Sequence, residues 1–135
     1  MPNKTFNFIL DSQDTQQSLK LLEVDYLGNG IYNCEIQVNS NGFMCKRIFG
    51  FDNDEYFLAK LNALLNNSEG EATLMDMQAD SFVRLKYIDA DSVLLTGYIV
   101  EQTDVTHSLE FSFKIKLLKI TSFVKDFEKM VRANI

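Results

Sequence analysis

The stretch Thr106 to Lys116 constrains the fold most. From Leu109 onward every odd position is apolar (Leu109, Phe111, Phe113, Ile115), and Ser108, Glu110, Ser112, Lys114 and Lys116 fill the even ones. A period of two sends alternate side chains to opposite faces of a strand. One face is then buried and the other wet, which fits an antiparallel sheet with a solvated side. A wet sheet face is also a surface on which a partner can bind.

Similar alternation recurs along the chain. Lys4–Leu10 carries Phe6, Phe8 and Leu10 on one face, and a polar loop from Asp11 to Ser18 follows. In Leu19–Leu27 the apolar phase changes from odd (Leu19, Leu21) to even (Leu22, Val24, Tyr26), which predicts a β-bulge. Gly28, Asn29 and Gly30 form a turn. Ile31–Asn39 places Tyr32, Cys34, Ile36 and Val38 inward, and Gly42–Phe49 returns as its hairpin partner through Asn41-Gly42. That register sets Arg47 opposite Ile36 on the apolar face, where a guanidinium needs a partner or an exposed edge.

Asp52 to Asn66 reads as a helix. Asp52 is the expected cap with Glu55 three residues on, and Phe51 with Tyr56 fits a hydrophobic staple. Phe57, Leu58, Leu61, Leu64 and Leu65 make its apolar stripe. Four more strands follow, near Ala72–Met77, Phe82–Ile88, Val93–Glu101 and Thr106–Lys116. A helix at Thr121–Ala133 closes the chain, with Phe123, Val124, Phe127, Met130 and Val131 on one stripe. The expected fold class is α+β: an antiparallel β-sheet of about eight strands in the order ββββα-ββββα, with both helices packed on its apolar face. At 135 residues this is a single domain, 1–135.

Few groups invite catalysis. His107 is the one histidine, and its odd position predicts an inward-facing structural or edge residue. No Gly-x-Ser-x-Gly motif accompanies it. Cys34 and Cys45 lie four positions apart along the hairpin, over about 10 Å, too far for a disulfide. They cannot build a four-ligand zinc site with a single histidine. Asp52, Asn53 and Asp54 hint at a calcium loop, but Ala63 stands where its twelfth-position acid belongs. The six glycines form no phosphate loop, and the five methionines read as core packing. No metal or cofactor is therefore expected. The apolar runs are shorter than the roughly 18 residues that span a bilayer. Met1 to Phe6 offers neither a basic region nor an apolar one, so no signal peptide is expected and the cytoplasm is the default location.

Net charge is −6 and uneven. Residues 1–83 hold 12 acids against 5 bases, while residues 84–135 hold 7 acids against 8 bases. Such a balance disfavours nucleic acid and favours a basic partner. Glu23, Asp25 and Glu35 on the wet side of the first strands, with Asp52 and Asp54 at the helix start, are the candidate contacts.

The chain also resembles the WapI-type immunity-protein family of bacterial polymorphic-toxin and contact-dependent growth-inhibition systems. The residues that carry the resemblance begin with Leu21, Val24, Tyr26, Cys34, Ile36, Val38 and Phe43. They continue through Phe57-x-x-x-Leu61-x-x-Leu64, Gly70 to Leu74, Gly97 to Val100 and Ser108 to Phe113. The resemblance implies binding in place of catalysis: neutralising a cognate toxin, commonly a nuclease, whose basic cleft an acidic surface would cover. A general interaction or scaffold domain is the rival reading, and a small enzyme using His107 or an acid pair is the third. A long edge strand could pair with a second copy or with the toxin by strand addition.

Overall fold

The structure is a computed structural model and describes residues 4–12, 16–78, 80–102 and 106–135. The chain start (1–3) and part of the expected polar loop (13–15) lie outside the described residues. The elements run β1 (Phe6–Asp11), β2 (Gln17–Gly28), β3 (Ile31–Ser40), β4 (Phe43–Phe51), α1 (Asp54–Asn67), β5 (Glu71–Met75), β6 (Phe82–Tyr87), β7 (Ser92–Gln102), β8 (Thr106–Lys116) and α2 (Leu117–Ala133). This is the expected α+β order. The eight strands divide into two antiparallel meanders, β1-β2-β3-β4 and β5-β6-β7-β8. Each half of the chain is thus one ββββα unit.

Local chemistry fixes the registers. Asn41 and Gly42 both take positive φ, 52° and 93°, as a type I′ turn requires. They set Ser40 opposite Phe43, Cys34 opposite Phe49 and Ile36 opposite Arg47, as expected. The bulge in β2 falls between Leu22 and Asp25, with Glu23 at φ 53°. It carries the apolar set from Leu19 and Leu21 to Val24 on the same buried face.

The inner faces of both sheets and both helices share one hydrophobic core. Helix α1 packs on β5 and β6, and α2 packs on β1, β7, β8 and α1. Phe127 of α2 is fully buried and lies against Phe8, Phe51, Phe57 and Phe123, with an edge-on contact of 5.3 Å to Phe57. One aromatic ring thereby joins β1, β4, α1 and α2.

Several local expectations need correction. The N-cap of α1 is Asn53, not Asp52, and no side chain caps the helix. Asn53 instead donates through Nδ2 to the Thr73 carbonyl of β5 at 3.0 Å. No staple forms: Phe51 is buried against Tyr32 while Tyr56 is exposed beneath Lys60. Helix α2 starts four residues before Thr121 because β8 runs directly into it. Leu118 in this first turn is exposed and lies off the apolar stripe. His107 keeps the phase of Leu109 and Phe111 but is exposed at the start of β8, beyond the edge of the core. Among the described methionines only Met130 is buried; Met44, Met75 and Met77 are exposed.

Candidate interaction surfaces

The outer face of the first sheet is built by strand alternation. Its cross-strand rows run Ile9–Lys20–Gln37–Lys46 and Leu22–Glu35–Ile48, with Asp25 beside Asn33 and Met44 beside Asn39. Ile9, Met44 and Ile48 stand 55%, 64% and 62% exposed on a face that alternation would make polar. Large apolar side chains interleaved with charge on a wet face are a feature of interaction sites. Their phase marks them as outward in the sequence: Ile9 lies between inward Phe8 and Leu10, and the hairpin register sets Met44 opposite Asn39 and Ile48 opposite Glu35.

The five candidate acids do not form one patch. Glu35 lies on this outer face between Leu22 and Ile48 and accepts a 2.6 Å hydrogen bond from Gln37 Nε2. Asp25 is half-buried on the same face, and its Oδ1 is buried without a hydrogen-bond partner. Glu23 is exposed at the bulge, where its N–H donates to Asn7 Oδ1 at 2.8 Å. Lys20 and Lys46 stand among these acids, so the face is mixed in charge with acids in excess.

Asp52 and Asp54 belong elsewhere. With Glu55, Tyr26, Tyr32 and Tyr56 they line a depression of about 520 Å³ on the helix side of the sheet. Asp52 is exposed, but Asp54 is buried. Asp54 therefore departs from the expected surface contact. Burial raises its pKa, with the Glu55 charge adding to the shift; backbone N–H groups and hydrogen bonding to Tyr32 only partly offset it. The Tyr32 hydroxyl is in turn pushed up to about 12, chiefly by burial and then by the Asp54 charge.

Arg47 has the partner that its register demanded. Its Nη2 lies 3.2 Å from Asp76 Oδ2 and its Nη1 3.4 Å from Asp80 Oδ2. Nη1 also donates to Ser81 Oγ and to the Val100 carbonyl of β7. Asp76 Oδ1 accepts from the Gly50 N–H at 3.3 Å, and the Gly50 carbonyl accepts from Met77 N–H at 2.7 Å. Two acids and one guanidinium thus close the seam between the sheets. Burial raises the Asp76 pKa, and hydrogen bonding with Asp80 adds to it. At Asp80 burial is outweighed by Asp76 and Arg47, which hold its carboxyl below the usual range. Long sequence separation hid these partners.

Compared with protein-family models, with curated proteins and with solved structures, the chain matches none. Among the described residues no group of three or more His, Cys, Asp or Glu is placed to hold a metal ion. No described helix is long and apolar enough to cross a membrane.

Proposed function

We propose that this protein is an immunity protein of the WapI type, which binds a cognate bacterial toxin in the cytoplasm and neutralises it by direct contact. The observation that carries the reading is the outer face of the first sheet. There Ile48 stands exposed beside Glu35, with Met44 on the same strand, Ile9 exposed at the opposite edge, and Asp25 and Glu23 on β2 between the edges. Exposed apolar side chains on the edge strands give contact energy, and the acids on the strands between them, Glu35 and Asp25, steer a basic partner such as a nuclease cleft. The net charge of −6 supports the same sign of partner. The resemblance to the family supplies the toxin; the surface supplies the means of holding it.

The test is co-purification with the product of the gene immediately upstream, followed by titration calorimetry at two salt concentrations. Tight binding that weakens with salt is expected, because exposed charges are screened. Absence of binding at either salt would leave a protein-interaction module without a toxin as the better reading.

A further inference from the structure

The outer face of the second sheet has the opposite character. Arg84 sits between Thr73 and Thr96 in one cross-strand row, and Phe82 sits beside Tyr98 in the next. Lys86, Lys114 and Lys116 share this face, against Glu71 and Glu110 alone among the described residues. A chain of net charge −6 therefore carries one face on which cations outnumber acids.

Arg84 is held in place. Its guanidinium lies 4.9 Å over the Phe82 ring, and its Nε donates to Thr73 Oγ1 at 3.1 Å. Glu71 is 4.0 Å from that same Nε. The two terminal amino groups have no hydrogen-bond partner among the described residues. Arg84 lines a shallow, open depression of about 680 Å³ with Phe82, Thr96, Tyr98 and Ser112.

We infer that this face docks an acidic segment of a partner protein, with a carboxylate on Arg84 and an apolar side chain against Phe82 and Tyr98. A guanidinium fixed by a ring and one hydrogen bond keeps its remaining donors in a fork that fits a carboxylate. Tyr and Arg are the residue types that dominate interface energies. The depression is too open to enclose a small molecule. Glu71 and Glu110 among the cations, with the acidic balance of the whole chain, oppose a polyanion such as nucleic acid. The inference does not rest on the immunity reading, which concerns the opposite sign of partner on the other sheet.

The experiment is an amide chemical-shift titration of the whole chain. The probes are a blocked Glu-Asp-Tyr-Glu-Asp peptide, its Gln-Asn-Tyr-Gln-Asn counterpart and a single-stranded oligothymidylate. Salt-sensitive shifts at Thr96, Tyr98 and Ser112 with the acidic peptide alone are expected. Arg84→Gln should weaken that binding roughly tenfold or more, with the shifts of the remaining amides unchanged. Arg84→Lys should restore only part of it, because an ammonium lacks the fork. Equal binding of the amide peptide, preference for the oligothymidylate, or no binding of the acidic peptide would each overturn the inference.

Discussion

Arg47 on β4 and Asp76 after β5 meet across the seam of the two sheets, Nη2 to Oδ2 at 3.2 Å, with only 15% and 4% of their side chains exposed. Neither residue's own sheet requires the contact. Gly50 is tied to Asp76 and Met77 by its backbone, and Val100 to Arg47 by its carbonyl, so the pair sits inside a network that joins both halves. Arg47→Met strands two carboxyl groups without their cation. A loss of about 3 kcal/mol in urea unfolding is expected, as for other broken buried pairs. The double variant Arg47→Met with Asp76→Leu should recover part of that loss. A single-variant loss below about 1 kcal/mol, the range of an exposed pair, would show that the seam does not depend on this contact.

Asp54 predicts a definite pH trend. Its folded-state pKa is raised by burial, so the folded chain holds this proton more tightly than the unfolded chain. The favourable contribution is fully present below the ordinary aspartate pKa of about 3.9 and is lost as pH rises through the raised value. Asp54→Asn removes the buried charge. It should be more stable than the parent at pH 7, and the difference should shrink toward pH 3. Paired unfolding curves across that range isolate Asp54, since Asp76 and Asp80 titrate alike in both proteins. An Asn variant that is less stable at pH 7 would contradict the burial argument.

Most of the fold is legible because its signals are local. Alternation sets the strands, Asn41-Gly42 sets one register, and the phase change at Leu22 marks the bulge. The helix ends were less legible: Asn53 caps by position alone, and Leu118 points to solvent inside an apolar run. The division into two sheets was not readable, because nothing local tells whether β5 pairs with β4. Alternation places Glu35 on the wet face, but no local signal tells that Asp54 at the helix start is buried on the opposite side of the sheet. The cation-rich face around Arg84 left a faint trace, the base excess after residue 83.

Cys34 should be chemically silent. Its thiol is buried, donates to the Phe49 carbonyl at 3.4 Å, and is pushed up to about 12, chiefly by burial and then by the Asp76 charge. The reactive species is the thiolate. Iodoacetamide at pH 8 should therefore spare Cys34 in the folded protein and modify it only after unfolding, as peptide mass mapping would show. Rapid native-state labelling at Cys34 would mean that the core around β3 and β4 opens readily.

Gly97 and Phe111 face each other across β7 and β8, and the ring occupies the space of the missing side chain. A Cβ at position 97 would stand 2.2 Å from Phe111 Cζ and 2.8 Å from the Phe82 carbonyl oxygen. Gly97→Ala should cost about 1–3 kcal/mol, the usual range for overpacking a filled core. Adding Phe111→Leu relieves the ring clash but not the backbone one, so thermal unfolding should recover only partly. Full recovery would place the whole strain in the ring.

On the first sheet, Glu35 and Ile48 are cross-strand neighbours, one charged and one apolar. Ile48 is 62% exposed, so Ile48→Asp should leave unfolding within about 0.5 kcal/mol of the parent. If this face holds the toxin, the same change should weaken binding by roughly 2 kcal/mol or more through a faster off-rate. Reversing Glu23 and Glu35 to lysine acts differently. Charges steer capture, so the on-rate should fall and its salt dependence should flatten. Stopped-flow association and dissociation rates separate the two effects. Unchanged rates in both variants, with the complex intact, would move the toxin contact off this sheet.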